Sequence, residues 1–172
     1  MKGFPERKPN RLKDYDYSQN GAYFITICAK DRQELFATID NSVGAAICRP
    51  CLELLDIGRV IDIAINRISQ THPGVRVDKY VIMPNHVHMI LEIDRSDGRQ
   101  VAAPTIQAII GQMKRFVSMQ CGVSAWQKSF HDHIIRNEED YLGIAQYIET
   151  NPDQWETDCF NARGSGKQIA SP

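Results

Sequence analysis

Hydrophobic and polar positions along the chain follow two periods, and the switches between them mark out the elements. Residues 22–28 (Ala-Tyr-Phe-Ile-Thr-Ile-Cys) are aromatic and β-branched and predict a strand, closed by the charged run 30–32. A short strand is expected over 35–39 and a loop over 40–50. From 52 to 69, apolar residues recur every three or four positions (Leu54, Leu55, Ile57, Val60, Ile61, Ala64, Ile68), predicting an amphipathic helix that stops before Pro73-Gly74. Strand-like runs over 75–82 and 87–93 are joined through Met83-Pro84-Asn85, a connection short enough for an antiparallel hairpin. After a loop over 94–104, Ile106, Ile109, Ile110, Met113, Phe116 and Val117 form one stripe of a helix over 105–120, ended by Cys121-Gly122. A strand is expected over 130–136. Asn137 then supplies an N-cap, with Glu138, Glu139 and Asp140 in an acidic first turn. The last helix carries Tyr141, Ile144, Tyr147 and Ile148 and ends near Pro152.

The order β-α-β-β-α-β-α predicts an α+β chain. Its first six elements have the split βαβ order of a ferredoxin-like fold, one antiparallel sheet with two helices on one face. The other face is left for a site or for the C-terminal helix. Residues 1–20 read as a polar arm, 21–156 as the folded domain and 157–172 as a flexible tail.

Composition narrows the function classes. The 172 residues are 42% hydrophobic and 24% charged, as in an ordinary globular protein, and one domain's worth of chain. No run approaches the roughly 18 apolar residues of a membrane span. The polar N-terminus lacks the apolar core of a secretory signal, so no membrane partner and a cytoplasmic location are expected. Lys plus Arg number 20 and Asp plus Glu 21, a net charge of −1, which excludes a generic basic nucleic-acid coat. Charge is uneven, however: Lys2, Arg7, Lys8, Arg11 and Lys13 sit against only Glu6 near the start. That stretch reads as a local basic arm or as a solvated tail. The five cysteines have no framework spacing and read as reduced thiols, and the lone Cys48-Arg-Pro-Cys51 has no second pair to make a metal knuckle.

Candidate chemistry lies in the histidines. His86 and His88 are two apart on a predicted strand, so both imidazoles project from one face while Val87, Met89, Leu91 and Ile93 point to the core. Two imidazoles on a rigid strand make a chelating pair. His131 and His133 share a face in the same way, either lining the same site or merely occupying a wet strand. A catalytic metal needs a third ligand and open positions. Asn151 can offer a carbonyl oxygen, and it is i+4 from Tyr147, hence its neighbour on one face of the last helix. Tyr141 lies six residues before Tyr147, about 600° of rotation at about 100° per residue, so the two cannot face one ion.

These residues resemble a family. Met83-Pro-Asn-His-Val-His88 is similar to the histidine–apolar–histidine motif of single-tyrosine HUH transposases. The run Trp126-Gln127, Phe130 to Arg136, Tyr141, Tyr147-Ile148 and Asn151-Pro152 resembles their REP-associated tyrosine transposase branch, as does the opening segment from Tyr15 to Ile27. The resemblance covers about residues 10–156. It implies a metal-dependent single-stranded DNA endonuclease or transposase that cleaves and rejoins DNA next to hairpins through a 5′-phosphotyrosine. It also implies Tyr147 as nucleophile, His86, His88 and Asn151 as metal ligands, and Mg²⁺ or Mn²⁺ as the divalent metal. The expected partner is single-stranded or hairpin DNA, met by a monomer or homodimer. Lys114, Arg115, Arg136, His133 and Arg11 are candidate DNA contacts, though each alone reads equally as a solvated side chain. The near-neutral charge suits recognition of one folded substrate. It also keeps open a catalytically silent hairpin-binding protein derived from a transposase.

Overall fold

The computed structural model describes residues 19–40, 51–94 and 105–161. Its centre is a four-stranded antiparallel sheet built from β1 (Gly21–Cys28), β4 (Val75–Ile82), β5 (His86–Ile93) and β6 (His131–Ile135), ordered β4-β5-β1-β6. Strand order, direction and the intervening helices α1 (Asp56–Asn66) and α3 (Ile106–Cys121) are those of the ferredoxin-like arrangement.

Alternation along β1 and β5 divides the sheet into two faces. Tyr23, Ile25 and Ile27 of β1, with Val87, Met89, Leu91 and Ile93 of β5, join Ile61, Ala64 and Ile65 of α1 and Ile109, Ile110, Met113 and Val117 of α3 in the main core. Each such fully buried aliphatic contributes about 1.5–3 kcal/mol. Thr105 caps α3 by accepting from the backbone of Ala108, and Gly122 closes it at φ 66°, a conformation that suits a residue without Cβ.

The opposite face carries a smaller apolar patch. Ile90 packs there with Ala145 and Ile148 of α4 (Glu138–Thr150), flanked by Phe24, Val81, Ile135, Tyr141 and Ile144. The side chain of Asn137 starts α4 by accepting from Asp140 N at 2.8 Å. The helix is thus docked across the half of the sheet that bears the histidines. A bulge between Val77 and Lys79 leaves Asp78 unpaired in the ladder and aims its carboxylate at α4, where the Tyr141 hydroxyl donates to it at 2.5 Å.

Two expectations are corrected. The predicted helix over 52–69 begins later: β3 (Cys51–Leu54) pairs with β2 (Ala37–Asp40), and α1 starts only at Asp56. Leu52 and Leu54 alternate with polar residues, and the available β2 partner overrides the helical spacing that runs through them. After Arg67 the helical path continues as a short α2 (Ile68–Thr71). The domain also extends past 156: a 3-10 helix (Pro152–Thr157) leads into residues 158–161, which pack back on the sheet rather than leave it, with Trp155 and Asn161 buried. Residues 1–18 of the arm expected over 1–20, the loop residues 41–50 with Cys48, and residues 162–172 of the expected tail lie outside the described residues. Among the described residues no helix is long and apolar enough to cross a membrane.

Candidate active site

His86 and His88 lie side by side on the α4 face of β5, their ring centroids 4.5 Å apart and both side chains buried. Each ring is held by its Nδ1. Asn85 Oδ1 lies 2.9 Å from His86 Nδ1, and Asn85 is itself pinned because its Nδ2 donates to the carbonyls of Arg32 and Phe160. An amide oxygen can only accept, so the His86 proton sits on Nδ1 and Nε2 presents a lone pair. Across the β1–β5 ladder, Thr26 faces His88, with Oγ1 2.8 Å from Nδ1. Such outer hydrogen bonds orient imidazoles for ion binding.

Helix α4 brings the other two residues. The Tyr147 hydroxyl reaches to 3.4 Å from His88 Nε2, and its ring lies edge-on to Phe24. Asn151, at the C-cap, is buried, and its Nδ2 donates to Asp158 Oδ2 at 3.2 Å. Two polar atoms in this cluster are buried without a hydrogen-bond partner: His86 Nε2 and Asn151 Oδ1. Leaving such groups unmatched costs about 1–3 kcal/mol each, and lone pairs of this kind are what a cation takes. Among the described residues no three His, Cys, Asp or Glu side chains are grouped to hold an ion, so an ion bound here would need a donor of another type, such as the amide oxygen of Asn151. Two imidazole nitrogens and an oxygen fit a divalent cation.

Burial keeps the two imidazoles neutral. Burial, then the neighbouring His88, holds His86 well below its ordinary range, the Asn151 amide offsetting a part. Burial alone lowers His88 to about 3. Both imidazoles are therefore neutral at physiological pH. Burial, with Asp158 and Cys159 adding, pushes the Tyr147 phenol up to about 12. As it stands, the pocket does not activate this phenol; a nearby positive charge would.

The remaining candidates lie elsewhere. The Lys114 ammonium donates to the carbonyls of Gln127 and Ser129, and burial lowers it to about 8. It fastens a loop. His133 shares the α4 face, opposite Phe24, but its Nε2 meets Asp140 at 3.0 Å at the start of α4, away from the His86–His88 pair. Arg115 and Arg136 are exposed, and Arg11 lies outside the described residues. Thr26, Asn85 and Asp158 escaped sequence reasoning. Strand register could have found Thr26, and Asn85 sits inside the motif, but nothing in the local sequence marks Asp158. Phe160 also joins the site, its ring 4.5 Å from that of His86.

The relatives of this chain speak to its family. No family model matches it. An uncharacterized protein of Haemophilus influenzae is 34% identical over 176 residues, spanning 91% of this chain and 93% of that protein. The REP-associated tyrosine transposase of Escherichia coli is 23% identical over 137 residues, 79% of this chain and 68% of its own length. The named relatives carry the likeness of this chain to the REP-associated tyrosine transposases. A solved structure of a REP-associated tyrosine transposase bound to a REP hairpin superposes with a TM-score of 0.59 at 22% identity, covering 84% of this chain and 74% of that one. That likeness establishes the shared transposase fold. Within it, this chain carries His86, His88, Tyr147 and Asn151 in one cluster.

Proposed function

We propose that this chain cleaves and rejoins single-stranded DNA beside a hairpin, with Tyr147 as nucleophile and Mg²⁺ or Mn²⁺ held by His86, His88 and Asn151. One observation carries the reading: His86 Nε2 and Asn151 Oδ1 are both buried without a hydrogen-bond partner, in the cluster in which the Tyr147 hydroxyl stands 3.4 Å from His88 Nε2. A hairpin-binding protein needs neither buried imidazoles nor a phenol among them. The solved relative is described with a REP hairpin, and that supports hairpin DNA as the substrate class here.

In the reaction the Tyr147 Oη attacks the scissile phosphorus in line. The bond from phosphorus to the 3′ oxygen breaks, and the 5′ phosphate stays on Tyr147. The phenolic proton is released and the departing 3′ oxygen takes one up, so the step is proton-neutral. Because the phosphodiester is conserved as a phosphotyrosine ester, attack by a later 3′-hydroxyl reseals a strand without a nucleotide cofactor. Asn85 holds His86 in one tautomer and Thr26 holds the His88 ring in place, while Phe24 and His88 hold the tyrosine ring against the sheet. When bound, the divalent cation supplies Lewis-acid stabilisation of charge on the phosphate and favours phenolate over phenol.

The test is incubation of the full chain with a DNA hairpin bearing a single-stranded flank, in Mg²⁺ or Mn²⁺, followed by a denaturing gel. A covalent adduct is expected, abolished by EDTA. Hairpin binding without any adduct in either metal, unaffected by EDTA, overturns the proposal in favour of a catalytically silent hairpin-binding protein.

A further inference from the structure

Asp158 stands eleven residues beyond Tyr147 and outside every motif the sequence offers, yet its side chain is 4% exposed and lies within the site. Both of its oxygens are used. Oδ1 accepts from the backbone of Phe160 at 2.7 Å, while Oδ2 accepts from Asn151 Nδ2 at 3.2 Å. Its backbone donates to the Trp155 carbonyl, closing the 3-10 helix. The carboxylate is therefore a fixed acceptor rather than a mobile charge.

That fixity matters because an asparagine amide is ambiguous. A half-turn about its last bond exchanges oxygen for NH₂ with almost no change of shape. In one orientation Asn151 gives a lone pair to the histidine cluster; in the other it would present two N–H groups to a cation and repel it. A carboxylate has no proton to give, so the NH₂ must turn to Asp158 and the oxygen must turn away from it. In keeping with this, Asn151 Oδ1 is buried with no hydrogen-bond partner, as is Nε2 of His86, whose side chain the Asn151 amide adjoins.

We infer that Asp158 is a positioning residue: by accepting from Asn151 Nδ2 it locks the amide with its oxygen toward His86 and His88, completing the ion-binding face. The inference rests on the ion site proposed above and deepens it. Asp158 acts through Asn151, so its effect must disappear when Asn151 is gone. Direct ligation, or attraction from the negative charge alone, would persist.

The experiment is calorimetric titration of the metal-free full chain with Mn²⁺, arranged as a double-mutant cycle. Asp158→Asn, nearly isosteric, should weaken Mn²⁺ binding by about 10–100-fold, the range for outer-shell partners of metal ligands. In the Asn151→Ala background the same change should make less than about a twofold difference. Asp158→Glu keeps the charge but displaces the acceptor by a methylene. It should weaken binding in the Asn151 chain only, and it replaces Asp158→Asn if that variant melts too low to titrate. Undiminished affinity in Asp158→Asn and Asp158→Glu, with His86→Ala unable to bind, overturns the inference and leaves the ion site standing. An equal loss in the Asn151→Ala background likewise overturns it. If His86→Ala binds Mn²⁺ as the wild type does, the ion site itself is wrong and the inference falls with it.

Discussion

Tyr141 and Tyr147 project from one helix, and removing the same oxygen atom from each should have opposite consequences. The Tyr141 hydroxyl donates to Asp78 Oδ2 at 2.5 Å, and that bond is the first cause of the lowered pKa of Asp78, opposed by burial. Hydrogen bonds to a charged acceptor contribute about 1.5–3 kcal/mol. Here the lower end applies, because Asp78 keeps Arg76 at 2.7 Å and its side chain is 17% exposed, so water and the guanidinium replace part of the loss. About 1.5 kcal/mol corresponds to a fall of about 3–6 °C in the melting temperature of a chain this long. Cleavage should survive, since Asp78 and Tyr141 lie over β4 rather than over the histidines.

Tyr147→Phe reverses the pattern. Its hydroxyl contact is long, 3.4 Å, and the ring keeps its packing against Phe24 and His88. The hydroxyl is also desolvated, as its pKa of about 12 reflects, so losing it costs about 0.5 kcal/mol or less and shifts the melting temperature by less than about 2 °C. The covalent DNA adduct should nevertheless vanish, because no other nucleophile is proposed. Scanning calorimetry and a denaturing gel on the same two preparations decide the matter. An adduct retained by Tyr147→Phe but lost in a well-folded Tyr141→Phe would show that the wrong face of α4 has been chosen. An adduct in both would discard the tyrosine mechanism.

Other consequences are quickly measured. A Cβ on Gly58 would stand 2.0 Å from the Phe36 carbonyl oxygen, backbone against backbone, so Gly58→Ala should cost about 3 kcal/mol in urea unfolding or prevent folding. In EDTA, stability should fall as pH drops below about 6.5: the unfolded chain then protonates a histidine that the folded chain keeps neutral. For His88 that costs about 1.4 kcal/mol per pH unit down to about 3; denaturant midpoints flat from pH 7 to 5 would contradict the burial of both imidazoles. Mn²⁺ at about a hundred times its dissociation constant should add about 2.7 kcal/mol of stability, and His86→Ala should remove the gain, as thermal melts with and without the ion will report. Lys114→Met should lower the melting temperature yet leave the salt dependence of hairpin binding unchanged, because its ammonium is spent on two carbonyls. Arg115→Ala, exposed on α3, should instead reduce that salt slope by about one.

The parts of this molecule that local pattern determines were legible in its sequence. Alternation in β1 and β5 set which side chains face the helices, and the i+2 spacing therefore put His86 and His88 on one face. The cap at Asn137 set where α4 begins, and the i+4 spacing put Asn151 beside Tyr147. What escaped depends on partners distant in sequence. The strand Cys51–Leu54 exists because β2 pairs with it, and apolar spacing through Leu54 and Leu55 concealed that choice. Lys114 looked like a phosphate contact because a sequence cannot show the carbonyls of Gln127 and Ser129 waiting at its end of the helix.

Asp158 is the most instructive omission. It lies among polar residues that resemble a fraying terminus, and a carboxylate on such a stretch is usually solvated. Trp155 is buried and Asn161 donates to its carbonyl, so the chain turns back instead of leaving the sheet. Asn85, placed beside His86 by the turn before β5, donates to Phe160 and anchors the returning segment to the site. One asparagine thus fixes both a histidine tautomer and the path of the chain that carries Asp158 to Asn151. If that coupling holds, Asn85→Ala should weaken Mn²⁺ binding more than Thr26→Ala does. Each removes the outer partner of one imidazole, but only Asn85 also holds the segment that orients the third donor. Equal losses in the two variants, measured by the same titration, would mean that the returning segment keeps its path without Asn85.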